Sequence, residues 1–214
     1  MSDFLARIDE INADDNNFEA QSRQRGTSTL KASLHGEHRF VVDYLFDSGV
    51  MEAAILYTGQ MLHMTNFRHY VTRGGERALG WHRDTHFHRG SATGLVPACY
   101  KIILYSSVSD PDNACTELIA GSHRVDFHNK WIDQAMGRLG LNRHRIIARP
   151  GDVAIFNVGV LHNRLAAKAT SFRSATIVGM ALSAFYQKRY YVGENCGLLD
   201  HYNARLEKLN SWSR

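Results

Sequence analysis

The sequence predicts a mainly β fold with flanking helices, either a sandwich or a barrel. Three observations carry this. From residue 60 onward, short stretches rich in β-branched and aromatic residues recur. Turn-forming clusters separate them, among them Gly74-Gly75 and Pro111-Asp112-Asn113-Ala114. The residues before this point carry three- and four-residue apolar spacings or polar loops instead. Many short strands with turns between them suit two packed sheets or a closed one.

Each element follows from its own pattern. Residues 3–11 read as a short helix and are followed by a polar stretch to residue 35. Residues 36–56 mix three- and four-residue apolar spacings, which predicts one helix. Residues 61–70 alternate as a strand does, with Leu62, Met64, Asn66, Arg68 and Tyr70 on one face. A second extended stretch runs from Leu79 to His88, and strands are predicted over 99–107, 116–119, 145–148, 153–157 and 172–184. Residues 126–139 read as a helical insertion, and 198–209 as an amphipathic tail helix. The expected organisation is one domain over 1–214: helical support in 1–59, a β core in 60–184 and a tail in 185–214.

Composition excludes several classes. A chain of 214 residues that is 44% apolar can bury a full core without disulfides or a structural metal. Its formal charge of +4 comes with no long basic run, so no nucleic-acid partner is expected. Cys99, Cys115 and Cys196 are odd in number and form no CxxC, which suits a reducing, cytoplasmic setting. No signal peptide or membrane span is expected.

The chemistry lies in four residues in a particular order. His82 and Asp84 flank Arg83 in an extended segment, so their side chains share one face. Taken alone, this triplet is also what a solvated His and Asp on a strand look like. Downstream, Pro150-Gly151-Asp152 launches a buried strand, His162 lies just beyond it, and Arg173 heads the next strand. Two histidines and a carboxylate make a facial triad, which leaves three adjacent positions open and favours Fe(II) over zinc. An arginine on a neighbouring strand suits a dicarboxylate, bound as a bidentate, charge-assisted pair. Ala175 and Gly179 keep that face small.

At these residues the sequence resembles the phytanoyl-CoA dioxygenase family of Fe(II)/2-oxoglutarate oxygenases. The likeness runs from about Met61 to Ala184. It includes His82-Arg83-Asp84 with His86, the strand Ala98 to Lys101, and the stretch from Asp112 to Arg124 with its Gly121-Ser122-His123. Ala120 stands where the family usually has proline. The resemblance implies a double-stranded β-helix, or jelly roll, with iron on His82, Asp84 and His162. It implies 2-oxoglutarate on Arg173, with Met64 and Tyr100 at the family's other cosubstrate positions. It also implies O2 as oxidant and release of succinate and CO2 as a C–H bond of a small-molecule substrate is hydroxylated. The family's halogenating relatives replace the triad carboxylate with a small residue, so Asp84 argues for hydroxylation. Arg164 departs from the small hydroxyl residue that family members often carry two places after the distal histidine.

His86, Arg83 and Arg77 are candidate substrate contacts, His86 on the triad's strand and the arginines near the mouth. Each is equally well read as a solvated side chain. Two other function classes are weighed: a jelly-roll protein that binds metal or a small molecule without turnover, and the same oxygenase chemistry on nucleic acid or protein. The intact triad with Arg173 disfavours the first. The nucleic-acid demethylases of the superfamily carry a second arginine about six residues beyond the first, and none follows Arg173 here. Oligomeric state is not legible in the sequence.

Overall fold

A computed structural model describes residues 2–20, 27–84, 99–124, 129–182 and 197–212. In chain order its elements are α1 (Ser2–Ala13), β1 (Phe18–Ala20), β2 (Thr27–Leu30), α2 (Arg39–Asp47), α3 (Val50–Thr58), β3 (His63–Arg73) and β4 (Cys99–Tyr105). These are followed by β5 (Thr116–Ile119), α4 (Lys130–Leu139), β6 (Arg143–Ile146), β7 (Val153–Asn157), β8 (His162–Arg164), β9 (Phe172–Ala181) and α5 (Leu198–Trp212). The strands form two antiparallel sheets, one of six strands in the order β1-β2-β3-β9-β4-β7 and one of three in the order β6-β5-β8. Helical residues are as numerous as strand residues among those described, so the fold is mixed α/β rather than mainly β.

The large sheet divides the molecule. On one face Met64, Phe67, Ile102, Leu104, Val178 and Met180 meet the helices through Phe4, Ile8, Val42, Leu45, Met51 and Tyr202. Burying each such side chain contributes roughly 1.5–3 kcal/mol. On the other face Ile103, Phe156 and Ala175 pack toward Leu118 and Ile146 of the small sheet. The functional cavity opens between the two sheets, on this second face.

The helix predicted over 36–56 is broken. Gly49 adopts φ 76, a left-handed conformation that a side chain disfavours, and so ends α2 and starts α3. Phe4 of α1 stacks on Tyr44 of α2 at 4.3 Å between ring centroids. The tail helix forms as α5, and its Tyr202 hydroxyl donates to the Leu62 carbonyl at 2.7 Å. The helical insertion starts at 130, where the Asn129 side chain accepts from the Trp131 and Ile132 amides as an N-cap. Its predicted first residues, 126–128, lie outside the described residues, as do 183–184 of the last strand.

One irregularity sets what faces the cavity. The register of β3 against β9 shifts between Met64 and Asn66, a β-bulge. Alternation therefore changes phase there, and Met64 no longer shares a face with Tyr70. Opposite the bulge, Gly179 donates its amide to Asn66 Oδ1 at 3.1 Å, and a Cβ on it would meet that oxygen at 2.7 Å.

Candidate metal centre

The two triad histidines are joined backbone to backbone. The His82 amide donates to the His162 carbonyl at 2.9 Å, and the His162 amide returns the bond at 3.0 Å. The Asp84 amide donates to the Val158 carbonyl at 3.1 Å, which ties this end of the segment to the stretch before His162. His162 opens β8, which is held in the small sheet by β5. His82 is thus fixed against a strand that begins eighty residues later, at His162. The i, i+2 spacing then turns His82 and Asp84 to the same side.

The imidazoles are oriented by their other nitrogens. His82 Nδ1 lies 2.8 Å from the Gly80 carbonyl, and His162 Nδ1 lies 2.9 Å from the Val160 carbonyl. A carbonyl only accepts, so each Nδ1 carries a proton, and Nε2 is the nitrogen each ring turns toward the other ligands. His82 Nε2 is 3.8 Å from Asp84 Oδ1, and His162 Nε2 is 3.4 Å from Asp84 Oδ2. One ligand atom from each of the three residues fits within a 4.8 Å span, the arrangement a single ion needs. Carbonyl partners on metal-binding imidazoles are the usual means of fixing tautomer and ring orientation.

Electrostatics keep His82 and Asp84 in their ligating forms. Burial, and then the neighbouring His162, push His82 down to about 4 against the pull of Asp84, so it is neutral at pH 7. Burial alone would raise the Asp84 carboxyl, but the Lys101 ammonium and His162 hold it well below the usual carboxylate range. Lys101 Nζ is ion-paired to Asp84 Oδ2. A neutral His82 beside an ionised Asp84 is a pair ready to bind a divalent ion.

A cavity of about 160 Å³ adjoins the triad. Its wall includes Tyr70, Thr72, Lys101, Ile103, Thr116, Phe156, Arg164, Arg173 and Ile177. Arg173 is 4% exposed, its guanidinium stands 5.8 Å over the Tyr105 ring, and its Nε has no hydrogen-bond partner among the described residues. A buried guanidinium on a cavity wall, with a donor left unpaired among the described residues, is suited to an anionic ligand. Arg164 is committed otherwise: Nη2 contacts Glu76 Oε1 at 2.7 Å and donates to the Arg77 carbonyl at 3.0 Å. Thr27 donates to the same Glu76 carboxylate.

The structure brings together His82, Asp84, His162 and Arg173, and it sends three other candidates elsewhere. Met64 is fully buried in the helix-facing core because the bulge reverses its face. Tyr100 packs against that same core, since on β4 it alternates with Lys101 and Ile103, which do line the cavity. Arg83 points away from the triad: Nε donates to Asp133 Oδ1 at 2.9 Å, and Nη1 donates to the Ser122 and Gly159 carbonyls at 2.6 and 2.8 Å. Arg83 is therefore a buried brace and no mouth residue. Arg77 is exposed. His86 lies outside the described residues. Sequence reasoning missed Lys101, Tyr70 and Glu76. Alternation from Ile103 would have found Lys101, but nothing in the sequence separates that phase from the one through Tyr100.

Iron(II) and 2-oxoglutarate are the cofactors such a centre takes, and the class is a non-haem Fe(II)/2-oxoglutarate-dependent oxidoreductase. Within that class the chain belongs to the phytanoyl-CoA dioxygenase family, which it matches over residues 6–175. Solved structures share its fold. The non-haem alpha-ketoglutarate-dependent epimerase SnoN from nogalamycin biosynthesis is 14% identical, with a TM-score of 0.65 over 84% of this chain and 72% of that one. The carbocyclase SnoK from the same biosynthesis is 16% identical, with a TM-score of 0.64 over 84% and 74%. EctD from S. alaskensis, solved with 2-oxoglutarate and 5-hydroxyectoine, is 14% identical, with a TM-score of 0.62 over 86% and 70%. Among curated proteins none matches this sequence. No described helix is long and apolar enough to cross a membrane.

Proposed function

We propose that this chain hydroxylates a C–H bond of a small-molecule metabolite, consuming 2-oxoglutarate and O2 and releasing succinate and CO2. The observation that carries the reading is the facial triad sharing one cavity with a buried, partly unpartnered Arg173. Bound iron with 2-oxoglutarate supplies the oxidising chemistry; the protein supplies ligand geometry, a dry wall and substrate position. His82, Asp84 and His162 would hold the metal, three protein ligands that leave coordination positions for the cosubstrate and O2. Arg173 takes the distal carboxylate of 2-oxoglutarate as a charge-assisted pair. Ile103, Phe156 and Ile177 exclude water around it.

A jelly-roll closure of the two sheets and a single functional unit over residues 1–214 go with this reading. The cavity between the sheets and the helical layer behind the larger one support both. The buried, unpaired Cys99 and Cys115 support a reducing compartment.

The experiment is a screen of 2-oxoglutarate consumption over a metabolite library, with and without Fe(II). A substrate that raises Fe(II)-dependent succinate release and gains one oxygen atom by mass supports the reading. Turnover indifferent to iron rejects it.

A further inference from the structure

Beyond keeping Asp84 ionised, Lys101 has no role in the proposed reaction. It rises from β4 on the cavity face, two residues before Ile103, and its ammonium is seated on the triad carboxylate at Asp84 Oδ2. Its side chain is 19% exposed, so it is largely withdrawn from solvent.

The charge balance of the cavity identifies what Lys101 needs. Among the described residues, the cations on the wall are Lys101, Arg164 and Arg173, and the carboxylates that meet them are Asp84 and Glu76. Glu76 neutralises Arg164. On the reading proposed above, on which this inference rests, Arg173 is neutralised by the distal carboxylate of 2-oxoglutarate. The divalent ion is neutralised by Asp84 and the proximal carboxylate. Among the described residues Lys101 is then the wall cation left without a counter-charge of its own, largely withdrawn from solvent and beside a metal of like sign. Unpaired buried charge of this kind is costly, and two neighbouring cations make it more so.

We propose that Lys101 is the anchor for a carboxylate on the primary substrate, which makes the substrate class a small monoanionic carboxylic acid. The ammonium exchanges Asp84 for the substrate carboxylate when the metal takes Asp84. A lysine suits this exchange because its charge sits on a flexible stem, whereas a guanidinium is fixed in a planar fork. The same residue thereby ties substrate occupancy to metal occupancy.

The alternative role, a brace that orients Asp84 for the metal, predicts the opposite sign in one measurement. If Lys101 competes with the metal for Asp84, Lys101→Met binds Co(II) tighter, by roughly tenfold or more. If Lys101 braces Asp84, the same variant binds Co(II) weaker, by roughly 10–100-fold. The second arm uses acetate and acetamide as probes. They are titrated into protein loaded with Co(II) and N-oxalylglycine, an unreactive isostere of 2-oxoglutarate, and followed by the Co(II) absorption spectrum. The wild type is expected to respond saturably to acetate and not to acetamide. Lys101→Met is expected to need roughly tenfold more acetate, with Lys101→Arg in between. Equal acetate responses in wild type and Lys101→Met, no acetate response in the wild type, or weakened Co(II) binding in Lys101→Met overturns the proposal. Failure of N-oxalylglycine to perturb the wild-type Co(II) spectrum is a different result, because it overturns the oxygenase reading itself.

Discussion

His82 and His162 exchange both of their backbone hydrogen bonds, at 2.9 and 3.0 Å, so the metal centre is built on a two-residue piece of antiparallel ladder. Their side chains are held by the same device, an Nδ1 proton given to the carbonyl two residues earlier. The backbone supplies both contacts. Replacing either imidazole therefore removes a ligand and leaves the ladder in place.

His82→Ala and His162→Ala are each expected to keep the fold and lose the metal. The loss should exceed the roughly 10–100-fold that follows removal of an outer partner of a metal ligand. Isothermal titration with Fe(II) under anaerobic conditions reads the affinity, and circular dichroism reads the fold. Near-native affinity in either variant would contradict its assignment as a ligand.

Arg173→Ala should raise the 2-oxoglutarate requirement strongly. Truncating one partner of a desolvated ion pair costs roughly 3–5 kcal/mol, which is about two to three and a half orders of magnitude in KM. Arg173→Lys keeps the charge but loses the bidentate fork and should fall between the two. A KM unchanged in Arg173→Ala would move the cosubstrate carboxylate to another residue.

The Arg83–Asp133 pair should behave as a buried structural pair. Both side chains are at most one-tenth exposed. Arg83→Met strands the Asp133 carboxylate and should cost roughly 3–5 kcal/mol of stability. Arg83→Met combined with Asp133→Leu should cost less than the single change, because no charge is then left unpaired. Urea unfolding of the two single variants and the double variant measures this. A double variant as unstable as the sum of the singles would contradict the pairing.

Stability should fall on acidification through the buried histidines. Burial, with help from His38, pushes His69 down to about 3, while an unfolded histidine titrates near about 6.5. His35 and His38 are lowered as well, again chiefly by burial. The unfolded chain thus binds more protons across this window. The His69 contribution is complete above about pH 6.5 and is lost as pH falls toward 3, by up to about 1.4 kcal/mol per pH unit, and His35 and His38 act in the same direction. His69 is held by the Thr176 hydroxyl at 2.8 Å and the Asn12 side chain at 2.9 Å. His69→Gln should therefore flatten the acid limb of a urea-midpoint profile measured between pH 7 and pH 4. An unaltered slope would show that His69 does not titrate on unfolding.

The centre was legible in the sequence because its signals are local or ordered. The i, i+2 pair His82 and Asp84 needs only an extended backbone, and His162 and Arg173 follow in order along the chain. The same alternation turns Arg83 to the opposite face, where Asp133 waits on α4, and reading it as a mouth residue overlooked that consequence. Met64 and Tyr100 were harder. A strand between a helical layer and a cavity is apolar on both faces, so composition does not say which phase looks inward. The register break at Asn66 then reverses the phase on β3, and a bulge is fixed by partner strands rather than by its own residues. Lys101 lies one residue from the position chosen on β4, and one residue is the whole difference between the two faces. The split of 36–56 at Gly49 was visible as a glycine, but apolar spacing runs on through it. The mixed character of the fold comes from helices that pack on the large sheet and build its core from the far side.

The most direct test of the central claim is Fe(II)-dependent release of succinate from 2-oxoglutarate by the purified chain, compared with His162→Ala. Slow release by the wild type with Fe(II), acceleration by a fitting substrate, and none above background from His162→Ala or after chelation are expected. Release that is the same in wild type and His162→Ala, or that survives removal of the metal, would contradict it.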